Sequence, residues 1–240
     1  MADDLTAEAF LARLDTHRSD EELRKYQRYF RFDADAQDPL DYFVGVRMGT
    51  VFALAKEFVD MDLDQIEALL ESPVHEARAG ALRIMEKKAR RKGATPEQVG
   101  ELADLYLRRH DRVNDWDLVD LAAYHVVGRH LRERSRKVLY ELARSENPWQ
   151  RRTSIVATAH FIGHEDLDDT FAIAELLLGD DHELVQKATG WMLRSAGDVD
   201  PDRLLAFLDT HAARAPRPLL RAAIEKLPPQ QRAHYRGLRA

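Results

Sequence analysis

The 240-residue chain contains no cysteine. That absence excludes disulfide frameworks, Cys-ligated zinc, iron–sulfur clusters and thiol nucleophiles, and it accords with a reducing compartment. Glycine is scarce, at 11 residues, and no Asn-Gly or Asp-Gly pair marks a hairpin turn. Period-2 alternation persists nowhere, so no strands are expected. No apolar run approaches the ~20 residues of a membrane span. The opening MADDLTAEAF is acidic and lacks the basic and apolar regions of a signal peptide. A soluble, cytoplasmic protein that does not meet a membrane is the expectation. GxxxxGK[ST], GxGxxG after a strand, GxSxG and HExxH are missing too, which removes support for nucleotide hydrolysis and serine-hydrolase chemistry. The ten histidines make no metal motif. His160 and His164 are four apart, but Gly163 intervenes near a helix end. Neither metal nor cofactor is expected.

What the chain does have is helical periodicity. Apolar residues recur at i, i+3, i+4 and i+7 in pieces such as LRKYQRYF, IEALL, LADLYL and IAELLL. Four prolines follow a good capping residue: Ser72-Pro73, Thr95-Pro96, Asn147-Pro148 and Asp200-Pro201. Such pairs read as helix starts, because the N–H that proline lacks has no intrahelical partner at that position. Helices are expected over 5–16, 20–32, 47–59, 62–71, 73–91, 96–110, 115–132, 134–145, 148–162, 166–178, 181–196, 201–213 and 216–226. The segment 33–41 (DADAQDPLD) reads as a loop or insert.

One layout repeats: a short helix, a polar cap, then a longer helix beginning at Pro73, Asp115, Pro148 or His182, with spacings of 42, 33 and 34 residues. In an all-helical chain that period indicates an α-solenoid of HEAT/armadillo-like repeats, each helix pair burying its apolar face on the next. One domain over 1–240 is expected. Charge is uneven along it. Residues 1–72 hold 17 acidic and 8 basic side chains, and residues 73–160 hold 12 and 18. The basic middle suits a polyanion, although basic coats on exposed helix faces are common. The run EKKARRK (86–92) reads as a solvated helix end.

With the four long helices in register, positions +1, +5 and +9 are successive i+4 neighbours on one face. They carry Trp116, Trp149, Arg78, Asp120, Lys187, Tyr124 and Trp191, so all three tryptophans share a ribbon with charged side chains. Leu, Val and Ala would be expected of a plain core stripe. Trp116 and Asp120 form the sharpest pair, since a carboxylate beside aromatic faces suits a cationic ligand or transition state. An ion pair between Asp120 and an arginine such as Arg152 is the structural alternative. Asp115 and Asp117, in the first turn, read as helix-dipole partners. Arg151 and Arg152, one turn into the helix at Pro148, suit phosphates.

These residues also carry a resemblance. FVGVRMGTVFALAKEF (43–58), LLESPVHEARAGALRIM (69–85), NDWDLVDLAAYHVVGRHL (114–131), PWQRRTSIVAT (148–158) and KATGWMLRSAG (187–197) are similar to the AlkD family of DNA alkylation repair glycosylases, over roughly 20–235. The strings W-D-x-V-D and K-A-x-G-W-x-L-R are its specific part. The resemblance implies a HEAT-like solenoid with a concave basic face that binds duplex DNA. It implies removal of positively charged N3- and N7-alkylated purines, without metal and without the base-flipping pocket of most glycosylases. Matched by motif, the catalytic carboxylate falls on Asp120 and its flanking tryptophans on Trp116 and Trp191. The DNA-backbone arginine falls on Arg152, with Arg151 beside it, and an N-terminal tyrosine falls on Tyr26, with Tyr29 competing. Lys187, Arg78 and Trp149 complete the expected DNA-binding set. The acidic stretch 33–41 departs from the family pattern. A monomer is expected. The rival readings are a catalytically silent DNA-binding solenoid and a HEAT-type protein adaptor.

Overall fold

A computed structural model describes residues 5–31 and 41–238. Most of the 33–41 segment therefore lies outside the described residues. The chain is all-α, as its periodicity implies: among the described residues there is no β-strand, only an isolated parallel bridge pairing Tyr42 with Val74. The residues group into two compact units, 1–122 and 123–240.

The first unit holds α1 (Ala7–Asp15), α2 (Asp20–Tyr26), a π-helical turn (Gln27–Arg31), α3 (Met48–Glu57), α4 (Leu63–Leu70), α5 (His75–Arg90), α6 (Pro96–Arg108) and α7 (Trp116–Ala122). Helix α5 is its axis, packing on α3, α4 and α7. It suits that place because Ala77, Ala79, Ala81 and Ala89 let neighbours approach, while Leu82, Ile84 and Met85 fill the space between; all are fully buried. Burying each of the large ones is worth about 1.5–3 kcal/mol. Caps start the helices where the sequence places them: Thr6 accepts from Ala9 N at 3.1 Å, and Thr95 with Gln98 closes a capping box on α6.

The Ser72-Pro73 start is a correction. Helix α5 begins two residues later, at His75, with Val74 as its N-cap. Ser72 Oγ accepts from Val74 N at 3.2 Å, and Pro73–His75 instead line up against Tyr42, with Tyr42 N donating to Pro73 O and His75 N to Tyr42 O. The buried Glu76 then gathers the turn at 44–46: Oε1 accepts from Gly45 N at 2.8 Å and Val46 N at 3.1 Å, and Oε2 from Val44 N at 3.1 Å. Gly45 has φ +79 there, a conformation that needs glycine.

The second unit holds a π-helical stretch (Ala123–Gly128), α8 (Arg129–Leu131), α9 (Lys137–Leu142), α10 (Pro148–Val156), α11 (Ala159–Ile162), α12 (Asp168–Leu176), α13 (Glu183–Val199), α14 (Pro201–His211), α15 (Arg217–Ala223) and α16 (Pro229–Gly237). Here α13 is the axis, against α10, α14 and α15. Asn147 caps α10 through Trp149 N at 2.9 Å, and Asp200 caps α14 through Arg203 N at 3.0 Å.

Candidate functional site

Helix α7 opens with Trp116, and the rings of the N-terminal segment come to it. Phe30 stacks on the indole at 5.9 Å and 25°, and Tyr29 tilts against it at 5.8 Å. Phe30 continues to Phe43 at 4.8 Å, and Phe43 stacks on the His75 imidazole at 4.2 Å and 21°. This row ends at solvent with Tyr29, 67% exposed. Trp116 and Asp120 are both half-buried, one turn apart on α7.

Beneath the row lie carboxylates. His75 Nε2 is 2.8 Å from Asp117 Oδ2. A carboxylate only accepts, so Nε2 carries the hydrogen. Asp115 accepts from Trp116 N at 2.7 Å. Burial, then the neighbouring Asp117 charge, pushes Asp115 up to about 6 from 3.8. The donor atoms of His75, Asp115 and Asp117 lie within 4.8 Å of one another, the grouping among the described residues with a metal-like donor set. The sequence reading missed it. His75 comes from α5 and the two aspartates from the start of α7, where first-turn carboxylates read as helix-dipole partners.

One of the expected DNA contacts is corrected here. Arg78 has no exposed surface, so it cannot reach a phosphate. Its guanidinium pairs with Asp41 and donates to Ser72 O at 3.1 Å, while Asn114 donates to the same Asp41 carboxylate. Burial holds the guanidinium below its usual value, with Asp41 opposing. Tyr26 is half-buried and its hydroxyl donates to Val46 O at 2.7 Å. Burial, with the Glu76 charge next, raises that phenol above its ordinary range. Tyr29, the competing residue, is the exposed tyrosine. Other basic side chains of the middle region meet acids: Arg91 pairs with Asp60 at 2.8 Å, Arg108 with Glu67 at 2.7 Å, and Arg109 with Glu71. Much of the charge asymmetry thus closes on itself within the first unit.

In the second unit, Trp191 is 37% exposed on α13. Lys187 is exposed and pairs with Glu183 at 2.6 Å. Trp149 is half-buried, edge-on to His182 at 5.2 Å. Arg151 ties two loops together: Nε donates to Asp180, before α13, at 2.6 Å, and Nη1 to Ser145 O and Glu146 O, before α10, at 2.9 Å each. Arg152, expected on an open face, is 5% exposed and donates to Leu184 O.

The architecture and these residues define a helical-repeat protein with an aromatic, acidic centre in its first unit. The family model described as "DNA alkylation repair enzyme" matches residues 10–227, and the chain belongs to that family. Among solved structures, it is similar to a predicted DNA alkylation repair enzyme from Enterococcus faecalis, with 17% identity and a TM-score of 0.67 over 89% of this chain and 98% of that one. At that identity the likeness speaks for the fold. No curated protein sequence matches the chain. No helix among the described residues is long and apolar enough to cross a membrane.

Proposed function

We propose that the chain is a DNA glycosylase that hydrolyses the N-glycosidic bond of positively charged N3- or N7-alkylated purines in duplex DNA. The observation that carries the reading is Trp116, held in an aromatic row that reaches solvent, with the Asp120 carboxylate one turn along the same helix. Family membership supplies the DNA-repair context.

Alkylation at N3 or N7 makes the purine a cation. As the C1′–N bond breaks, its electron pair neutralises the leaving base and positive charge builds on the deoxyribose. Asp120 stabilises that sugar and orients the water whose oxygen bonds to C1′. The water's proton passes to the carboxylate or to solvent. Trp116 packs against the lesion's sugar-phosphate and adds cation–π attraction, the role the family resemblance also gives to Trp191. Because the leaving group is already activated, modest electrostatic help suffices and the base need not enter a deep pocket. Lys187, exposed on α13, holds a phosphate. No metal or cofactor enters this scheme, and the protein acts as a monomer in the cytoplasm.

The test is release of free 7-methylguanine from methylated duplex by the purified protein, beside duplex affinity at several salt concentrations. Release with salt-sensitive binding supports the reading. Salt-sensitive binding without release makes it a silent DNA binder, and neither makes it an adaptor.

A further inference from the structure

The start of α7 is tied to the start of α5 by a contact that the scheme above leaves without a role. His75 is the first residue of α5. Its ring is 2% exposed, lies flat on Phe43 at 4.2 Å, and sits 5.6 Å from Phe30. Its backbone N–H is held by Tyr42 O at 2.8 Å. With both ring and backbone fixed, Nε2 presents its hydrogen to Asp117 Oδ2 in one direction.

We propose that His75, acting through Asp117, is a positioning residue that sets the orientation of Trp116 and of the helix turn leading to Asp120. The consequence for base release rests on the glycosylase reading; the geometric claim does not.

Asp117 directly follows Trp116 and precedes Asp120 by three residues, so fixing its side chain fixes the helical phase on both sides. Among the described residues its other oxygen, Oδ1, is buried without a hydrogen-bond partner, and His75 is the side chain that holds the carboxylate. Asp115 stands beside it, and the two carboxylates repel. Without a donor on Oδ2, Asp117 would turn toward water and draw the first turn of α7 with it. His75 also braces the opposite flank: Phe30, stacked on the Trp116 indole, is in ring contact with the same imidazole. One side chain therefore supports Trp116 by a hydrogen bond through Asp117 and by a ring contact through Phe30. A misplaced group near the chemistry costs up to about 100-fold in rate while leaving much of the binding energy intact.

His75→Leu removes the donor and keeps an apolar side chain against Phe43, whereas the amide of His75→Gln still reaches the carboxylate. Two measurements are made on each variant. One follows the indole N–H resonances of the three tryptophans, assigned by single Trp→Phe changes. The other compares duplex affinity with single-turnover release of 7-methylguanine. In His75→Leu the Trp116 resonance shifts or broadens while those of Trp149 and Trp191 stay in place. Release falls about tenfold or more with affinity within about twofold, and His75→Gln recovers release to within about threefold of wild type. An unmoved Trp116 resonance in folded His75→Leu overturns the proposal, as does a loss of affinity that accounts for the loss of rate. Absence of release by the wild type defeats the glycosylase reading alone, and the resonances still decide the geometric claim. If His75→Leu does not fold, Asp117→Ala takes its place with the same expectations. Loss of fold in both variants also overturns the proposal, because the pair is then a structural bridge.

Discussion

Trp116 begins its helix and Trp191 sits in the middle of one, and different physics holds each. Trp116 is braced by side chains: Phe30 on its face, Tyr29 beyond, and carboxylates at the residues before and after it. Trp191 follows Gly190, and there backbone meets backbone. A Cβ on Gly190 would stand 2.3 Å from Leu219 O and 2.7 Å from Ala222 Cβ, so α13 and α15 touch along that line. With its neighbour pressed inward, Trp191 faces out. The comparison teaches that the first site answers to charge and pH, and the second to volume.

The largest expected effect follows from volume. Gly190→Ala drives a methyl into a carbonyl that cannot yield, and overpacking of this kind costs about 3 kcal/mol. Gly49→Ala in α3, where a Cβ meets nothing within 4 Å, is neutral or raises stability by up to ~1 kcal/mol. Urea unfolding of both variants checks the contrast, and equal losses would break it.

Next comes Asp115, whose folded-state carboxyl near 6 lies above its ordinary 3.8. The folded protein holds that proton more tightly than the unfolded chain. The contribution is therefore fully present below about 3.8 and is lost as pH rises through 6. Asp115→Asn keeps an acceptor for Trp116 N and removes the buried charge. Its stability should exceed wild type by ~2 kcal/mol at pH 7.5, with the gain gone by pH 4. Melting temperatures at the two pH values measure this, and identical curves would contradict it.

A subtler contrast separates two histidines. Burial pushes His110, in the first unit, down to about 4, and it pushes His160, in the second, to the same value with the positive neighbours His164, His125, Arg132 and Arg129 adding to the effect. Both favour the folded state above 6.5 and lose that contribution as pH falls through 4. Salt screens charge but not burial. In ~0.5 M salt the His160 midpoint should rise, while that of His110, whose charged neighbour is Asp111, should not, as read from imidazole NMR titrations. Parallel movement of both would erase the distinction. The smallest effect belongs to Lys187→Ala. Loss of one phosphate contact lowers the salt slope of duplex binding by about one, and its exposed pair with Glu183 contributes under ~0.5 kcal/mol to stability. An unchanged slope removes Lys187 from the DNA surface.

The helices were legible wherever the signal is local. Thr95, Asn147 and Asp200 cap as their Pro pairs imply. Ser72-Pro73 misled because Tyr42, a residue 31 positions away from Pro73, claims that stretch of backbone. Helix α16 was missed because it is polar, with Tyr235 as its buried residue. The π-helical turns at Gln27–Arg31 and Ala123–Gly128 leave no mark in the apolar spacing. At the candidate site, i, i+4 spacing paired Trp116 with Asp120, which is a local relation. The link from His75 to Asp117 spans 42 residues and no periodicity encodes it. Register also placed Arg78 on an open ribbon, but register fixes direction from the helix axis and not what lies there: Asp41 and Asn114 enclose the guanidinium.

The central claim rests on the charge of Asp120. Asp120→Asn keeps the shape and removes the charge, so the loss should fall on the transition state. Single-turnover release of 7-methylguanine should drop about 10²–10³-fold, while duplex affinity holds or rises and the melting temperature stays near wild type. A stably folded Asp120→Asn protein that releases base at the wild-type rate would contradict the account, and so would a loss of activity that only tracks a loss of stability.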